Sequence, residues 1–378
     1  MYTAKFGGSA LAVLLIVLAR CAPTYAHPVA QGAMEIDATD HSLRIRATVS
    51  AEEVLVAASA HADGADNAWS AYAEYLRNHL HVRVDDKSVA GRVVSAARAA
   101  PRPTYLLEYA LPDSSGHIRI TQDSLHEIEY APGNNWEAAY LVTLRRADEA
   151  PAVQHLLTLT QPLEFRIGTP ASSDASSAEA RTLAFSFFLH GVRHILSGFD
   201  HLLFIGALVL GAAGLWDLVK VISAFTLAHT LTLTLATLDI FRLPPSVVEP
   251  AIAASIVVVA LQSLRDLGGS GYGPRALTAW TRAAVAFVFG LFHGLGFAGG
   301  LLDAAAGMPG KQLATALASF SLGVEAGQQL IVIPVFVALA FVRRSRARVG
   351  HAAELMQPAG AVAISLGGLA YFIAALRY

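Results

Sequence analysis

Four side chains that can bind metals or carry protons lie close together near the middle of the chain. They are His190, His194, Asp200 and His201, in a segment that reads FFLHGVRHILSGFDHLLF over residues 187–204. This segment opens the first long apolar stretch after a mostly polar half. An ionisable side chain near the centre of a membrane costs about 2.5–3.5 kcal/mol on insertion scales. We therefore interpret the four residues as functional.

Helix geometry limits how these histidines can share an ion. At 100° per residue, His190, His194 and His201 fall within about 40° of one helix face. A rise of about 1.5 Å per residue places His190 and His201 about 16 Å apart on a straight axis, whereas a histidine nitrogen binds its metal at about 2.1 Å. Either the stripe is a ladder of successive sites, which suits transport, or the helix breaks at Ser197-Gly198. A single tight cage suits a structural or catalytic metal.

The types of donor in the chain restrict the metals that it can bind. The only cysteine, Cys21, falls in the N-terminal segment, so a thiolate site is not expected. Imidazole with carboxylate suits Ni²⁺ or Co²⁺, with Zn²⁺ also compatible, better than Cu⁺. Mg²⁺ or Ca²⁺ would call for more oxygen ligands. We expect such an ion to be transported cargo and no cofactor to be permanently bound.

The composition excludes several classes of protein. Hydrophobic residues make up 54% of the chain, charged residues 15%, and the mean hydropathy is +0.48, which is too apolar for one soluble globule. A formal net charge of −2 argues against a nucleic-acid partner. The chain has no Gly-rich phosphate loop of the ATPase kind, so we expect that it does not itself hydrolyse ATP. We expect a transporter rather than an enzyme.

The polar half is predicted to lie outside the cytoplasm. Residues 1–26 have Lys5, a short apolar run and Thr24-Tyr25-Ala26, which is typical of a signal peptide. Residues 27–169 then read as a β-rich domain, with an antiparallel sandwich as the expected form, and His79 and His81 share a face of one predicted strand. Two short helices are predicted over 51–60 and 69–78. The predicted strands cover 33–50, 79–84, 104–111, 117–120, 138–145 and 155–167.

A linker over 170–182 is followed by a predicted six-helix transmembrane domain over 183–378. A span of the hydrocarbon core needs roughly 20 helical residues. Basic residues concentrate in the loops 213–218, 268–278 and 342–356 and their flanks, which places these loops inside and the N-terminal domain outside. The predicted spans are 183–212, 219–239, 247–267, 279–301, 312–341 and 357–376.

Four further ionisable residues lie in the predicted spans. His229 is in the middle of the second span, Glu249 at the outer end of the third, His293 in the outer half of the fourth and Glu325 near the middle of the fifth. We assign outer capture of an ion to His190 and His194. Central coordination is assigned to Asp200, His201, His229 and His293, and charge compensation or proton coupling to Glu325 and Glu249.

The membrane half resembles the HupE/UreJ family, in the branch with a large extracytoplasmic N-terminal region. The matching pieces, in order, are HGVRHILSGFDHLLF (190–204), FTLAHTLTL (225–233), VEPAIAASI (248–256), FGLFHGLGFA (289–298) and LGVEAGQ (322–328). The resemblance implies a nickel or cobalt permease linked to hydrogenase or urease maturation. It carries over His194, Asp200 and His201 as ligands, with His293 and Glu325 as candidates in a second motif. The domain over 27–169 departs from the compact members.

The sequence therefore predicts a multi-pass protein of a bacterial inner membrane that takes up Ni²⁺ or Co²⁺. Its partners would be the lipid bilayer, the metal ion, and either a periplasmic metal donor or further copies of the chain. One alternative is an intramembrane metalloenzyme with a His/carboxylate site. Another is a metal sensor or assembly factor that acts through the outer domain, for which His194→Ala would be tolerated.

Overall fold

The computed structural model describes most of the chain. The predicted signal peptide over residues 1–26 lies outside the described residues. Two compact units form, one rich in β-sheet and one helical. The described residues are 29–61, 67–98, 102–112, 116–131, 134–146, 153–167, 173–212, 214–267, 279–296, 308, 310–344 and 351–376.

The first unit contains two main sheets. Its strands are β1 (Val29–Ala38), β2 (Ser42–Thr48), β3 (Leu80–Val84), β4 (Lys87–Val89), β5 (Gly91–Ala97), β6 (Thr104–Ala110), β7 (His117–Gln122), β8 (Glu129–Ala131), β9 (Asn134–Asn135), β10 (Glu137–Arg146), β11 (Val153–Leu157) and β12 (Leu163–Arg166). A six-stranded sheet has the order β11-β10-β1-β2-β6-β5, and a four-stranded sheet has the order β12-β7-β3-β4. Strands β8 and β9 form a separate pair. The prediction of a β-rich N-terminal half is confirmed.

Alternation of apolar and polar residues sets which face of each strand is buried. In β2, Leu43, Ile45 and Ala47 are buried, whereas Arg44 and Arg46 are exposed. A strand places successive side chains on opposite faces, so one face joins the core and the other meets solvent. Both main sheets contribute side chains to one continuous hydrophobic core.

Two features of the sheets differ from the expectation. The predicted strand over 33–50 is a hairpin of β1 and β2, whose turn is closed by the Ser42 N–H donating to the Thr39 hydroxyl at 3.0 Å. Strand β1 also pairs in parallel with β10, with Val29 opposite Glu137. Local patterns predict antiparallel neighbours, but this pairing joins segments about a hundred residues apart and leaves no local signal.

Helices α1 (Ala51–His61) and α2 (Ala68–His79) confirm the two short helices that were predicted in this half. Helix α1 begins with the Ser50 hydroxyl accepting the N–H of Glu53 at 3.1 Å, as in an N-cap. The Glu53 side chain is fully buried, and its Oε1 accepts hydrogen bonds from the hydroxyls of Tyr72 and Tyr140. Burial is the main cause that raises the pKa of both tyrosines well above the ordinary value.

The second unit is helical. Its helices are α3 (Ser173–Ser197), α4 (Phe199–Leu210), α5 (Leu215–Thr237), α6 (Pro245–Leu267), α7 (Ala279–Gly296), α8 (Gly310–Arg344) and α9 (His351–Ala375), and the first residues of α3 and α8 belong to the sheet-rich unit. Helix α3 begins inside the predicted linker 170–182. The Ala, Glu and Arg residues over 178–181 are good helix formers, which favours a helix over an extended linker.

Three helices among the described residues are long and apolar enough to cross a membrane, Leu215–Thr237, Ser246–Arg265 and Gly310–Phe341. A fourth span results if the bent pair of α3 and α4 is counted as one. Helix α7 has 18 residues, and the apolar part of α9 is the shorter segment Pro358–Ile373. The helices thus support three or four membrane spans, and the six predicted spans stay a prediction.

Candidate metal centre

Gly198 separates α3 from α4, and the two helices meet at an angle of 71°. The backbone of Gly198 is extended, with φ −72° and ψ 103°. A Cβ atom at this position would lie 2.8 Å from the carbonyl oxygen of His194 and 2.9 Å from Cδ2 of His201. The bend therefore leaves no room for a side chain at position 198. Of the two predicted alternatives, the structure has a helix break at Gly198 and not a straight helix with a ladder of sites.

The break brings together two histidines that a straight helix would separate. Seven residues of helix span about 10 Å, but the ring centroids of His194 and His201 are 4.8 Å apart. Both side chains are buried, with 3% and 1% of their surfaces exposed. The helix break thus turns part of the predicted stripe into one compact arrangement.

A third histidine, His229, joins them from α5. Its ring centroid lies 6.0 Å from that of His194 and 5.9 Å from that of His201, and the residue is fully buried. One ligand atom of each of the three residues lies within 4.8 Å of the others. Two ligands at about 2.1 Å from one ion are at most about 4.2 Å apart, so the ligand atoms of His194, His201 and His229 lie close to the separation that a shared ion requires.

His293, on α7, lies next to this histidine group but is not part of it. Its ring centroid is 5.3 Å from that of His201. The Nδ1 atom of His293 lies 3.0 Å from the carbonyl oxygen of Phe289. Because a carbonyl oxygen can only accept a hydrogen bond, the proton of the ring is assigned to Nδ1, which donates it. The lone pair of the neutral ring is then on Nε2, the nitrogen that can bind a metal.

The other two predicted residues of the first span take different places. His190 is buried one turn before His194, and its ring centroid lies 5.9 Å from that of Phe320. Asp200 is buried in the first turn of α4, beside His201 in the chain, with 2% of its surface exposed. The structure brings neither residue into the group of His194, His201 and His229.

Glu325 and Glu249 also lie outside the histidine group. The Glu325 carboxylate, on α8, accepts hydrogen bonds from the Ser223 hydroxyl (2.8 Å), the Thr226 hydroxyl (2.6 Å) and the Gln329 amide (2.9 Å). Sequence reasoning missed these partners. The available signal was that Thr226 precedes His229 by about one helical turn. Glu249 is partly buried near the start of α6.

Glycines let α7 approach the backbone of α5 closely on either side of His293. A Cβ atom on Gly290 would lie 2.4 Å from the carbonyl oxygen of Phe225, and one on Gly294 would lie 2.2 Å from that of His229. Small residues four apart allow such close contact between helices. The two helices are therefore closely packed at these glycines.

Side chains from two neighbouring helices bond to the C-terminal end of α4. The Ser263 hydroxyl of α6 donates to the Ala207 carbonyl at 2.7 Å, and the Arg282 guanidinium of α7 donates to the Gly211 carbonyl at 2.5 Å. Carbonyls in the last turn of a helix lack partners within the helix. The Ala207 carbonyl also accepts the Gly211 N–H at 3.4 Å, so the two side chains add to the bonds of the last turn and fix α4 relative to α6 and α7.

Aromatic rings surround the histidines. The ring centroid of Phe225 lies 4.9 Å from that of His293, and the ring centroid of Phe320 lies 5.6 Å from that of His194. Phe204 lies 5.2 Å from His293. An apolar shell limits access of water and strengthens the interaction between a bound cation and its ligands.

The donor set can bind a borderline divalent ion. Three neutral imidazoles suit Ni²⁺, Co²⁺ or Zn²⁺, and they match the three-histidine sets of known zinc sites in number and type. Such an ion would bring two positive charges into a buried place, which favours a nearby carboxylate. Asp200 is the buried carboxylate closest in sequence to these ligands.

Comparisons with known proteins identify the family of the helical half. Residues 171–375, more than half of the chain, match the family described as HupE / UreJ protein. Neither the search of curated proteins nor the search of solved structures found a match. The match covers all of the histidines and carboxylates of the candidate centre. The chain belongs to the HupE/UreJ family of membrane proteins.

Proposed function

We propose that this chain is a permease that takes up Ni²⁺ or Co²⁺ across a bacterial inner membrane. The observation that supports this most is the group of His194, His201 and His229, three buried imidazoles whose ligand atoms lie within 4.8 Å of one another. The family adds support, because HupE/UreJ proteins are related to nickel and cobalt transport.

The ion would pass through the histidines in sequence. His190, one turn outside the group, receives it, and His194, His201 and His229 bind it together. Asp200 compensates its charge, and His293 takes it next, because its ring lies only 5.3 Å from that of His201. Exchange between neighbouring imidazoles keeps each binding step weak enough for release, as conduction requires.

The broken helix also supports transport. Transporters commonly bind their substrate where a membrane helix is interrupted near the middle of the bilayer. Here the interruption at Gly198 lies between two of the three ligands, His194 and His201. In the proposal, Glu325 and Glu249 compensate charge or couple transport to protons, and the sheet-rich unit lies in the periplasm.

Uptake of radiolabelled Ni²⁺, Co²⁺ and Zn²⁺ into proteoliposomes tests the proposal. Wild type should take up Ni²⁺ or Co²⁺ well above empty vesicles. His194→Ala and Asp200→Ala should lose most of this uptake, because each removes a proposed ligand or its compensating charge. His117→Ala, which changes a histidine on the surface of β7, is the matched control and should transport normally. Equal uptake by wild type, both variants and empty vesicles would exclude a permease.

The compact histidine group also fits an intramembrane metalloenzyme. Catalytic metal sites use three protein ligands and leave a position for water, and His194, His201 and His229 supply that number. An enzyme retains its metal during turnover, whereas a permease releases it. Wild-type proteoliposomes that hold one ion per chain without accumulating metal in the lumen would favour the enzyme.

A further inference from the structure

The sheet-rich unit contains a second group of histidine and carboxylate side chains. His79 ends α2, and His81 follows it in β3. Asp123 comes directly after β7, and Glu127 ends the turn that follows. The sequence pattern links only His79 and His81, because the two carboxylates lie more than 40 residues further along the chain.

Hydrogen bonds define the state of the His79 ring. Its Nδ1–H donates to Oδ1 of Asp123 at 2.9 Å, because the carboxylate can only accept. The neutral ring therefore has its lone pair on Nε2, which lies 3.9 Å from Oε1 of Glu127. His81 Nε2–H donates to the second oxygen of Asp123 at 3.3 Å. A carboxylate behind a histidine in this way is the usual support of a metal-binding imidazole.

The Glu127 side of the group is also held in place. The Tyr75 hydroxyl donates to Oε1 of Glu127 at 2.6 Å and accepts the N–H of Leu125 at 2.7 Å. The Tyr75 ring lies 4.2 Å from the ring of His79, centroid to centroid. The Asp123 N–H donates to the His79 carbonyl at 3.1 Å. These contacts orient both side chains before any ligand arrives.

The group is accessible and rich in negative charge. The side chains of His79 and Glu127 are 24% and 37% exposed. Among the described residues, the ion pairs of Asp123 and Glu127 are with histidines and include no arginine or lysine. A cavity of about 440 Å³ beside α1 and α2 has His79, Tyr75 and Asn78 in its wall, which leaves room for water or a small ligand.

We infer that His79 and Glu127 bind one divalent transition-metal ion in the sheet-rich unit. Two ligands at about 2.1 Å from an ion are about 3.0–4.2 Å apart for angles between 90° and 180°, and the observed 3.9 Å lies in this range. Asp123 is a positioning residue that acts through Nδ1 of His79. Imidazole with carboxylate favours Ni²⁺, Co²⁺ or Zn²⁺. The existence of this site does not depend on the proposed function. A role of the site in capturing cargo would rest on the proposed permease function.

Metal titration of the full-length protein in nanodiscs tests the inference. The background is His194→Ala/His229→Ala, which removes two of the three intramembrane imidazoles. Calorimetry with Co²⁺ should show about one bound ion per chain. His79→Ala and Glu127→Gln should abolish this binding, and Asp123→Asn should weaken it about 10–100-fold, as expected for lost support of a ligand. Circular dichroism shows whether each variant keeps its fold.

His117→Ala is the matched control, because His117 also faces a carboxylate, Glu164, at 3.7 Å on the surface of the same unit. It should leave the binding unchanged. Unaltered stoichiometry and affinity in folded His79→Ala, or an equal loss in His117→Ala, would overturn the inference. The titration reads binding in a transport-deficient background, so its failure is distinct from a failure of the uptake assay.

Discussion

The three central histidines owe their proposed chemistry to burial and to one another. His194, His201 and His229 are each no more than 3% exposed, and their rings face aromatic side chains rather than solvent. Binding of a metal requires the neutral imidazole. We therefore expect affinity for the ion to fall as the pH drops through the range in which histidines become protonated.

Residue types alone indicated candidate side chains for the chemistry, but not their contacts. The histidines of the membrane half stand out because an ionisable group in an apolar segment needs a reason to be there. The partners of Glu325 did not stand out, because Ser223 and Thr226 are residue types that usually bond to their own helix. Asp123 and Glu127 gave no signal either, since their link to His79 exists only after folding.

The buried Glu53 gives a prediction about the stability of the sheet-rich unit. In Glu53→Ala, the hydroxyls of Tyr72 and Tyr140 lose the acceptor they share in the core. A buried group that loses its partner costs about 1–3 kcal/mol, so the two hydroxyls together give an upper bound of about 6 kcal/mol for the expected loss. The measurement is urea unfolding of the full-length protein, followed through the near-ultraviolet circular dichroism of its tyrosines.

Glu53→Gln is the matched control, because the amide oxygen still accepts from both hydroxyls. It should lose clearly less stability than Glu53→Ala. Equal unfolding midpoints for wild type and Glu53→Ala would contradict the expected loss of stability.

At the scale of elements, the break between α3 and α4 decides what the histidines can do. Glycine at position 198 is compatible with a straight helix and with a bend, so the sequence left both open. The structure selects the bend, in which His194 and His201 lie on either side of a 71° angle. Bonds from Ser263 and Arg282 to the C-terminal end of α4 fix the helix that contains His201.

Gly198→Ala should damage the metal centre without removing any ligand. The added Cβ would approach the His194 carbonyl to 2.8 Å, and alanine favours a continuous helix. We expect the affinity for Co²⁺ to fall about 10–100-fold, as when the support of a ligand is lost. The measurement is Co²⁺ titration of protein in which His79→Ala removes the proposed site of the sheet-rich unit.

Gly310→Ala is the control, because a Cβ atom at Gly310 would meet nothing within 4 Å. It should bind Co²⁺ as wild type does. A Gly198→Ala variant with undiminished affinity would mean that the bend is not needed to assemble the site.

Other elements were predictable to different extents. Strongly alternating strands such as β2 and the two short helices α1 and α2 followed from local patterns. The parallel pairing of β1 with β10 did not, since it joins distant segments. The start of α3 was placed too late, because small polar residues resemble a linker even where alanines support a helix.

At the scale of the whole molecule, the helical unit has an arrangement that suits a membrane. Helices α5 and α7 run parallel, as the contacts of Gly290 with Phe225 and of Gly294 with His229 show. Each begins with an exposed tryptophan at its second residue, Trp216 at 78% and Trp280 at 85%. Exposed tryptophans at one level are typical of a membrane–water interface.

X-ray absorption spectroscopy on the Ni²⁺-loaded protein tests the central claim most directly. The sample is the His79→Ala/Glu127→Gln variant, so that the proposed site of the sheet-rich unit contributes nothing to the spectrum. We predict nitrogen scattering from about three imidazoles, the number in the group of His194, His201 and His229, and a reduced imidazole signal in the same variant with His229→Ala. A spectrum with oxygen donors alone, or one that His229→Ala leaves unchanged, would contradict the account.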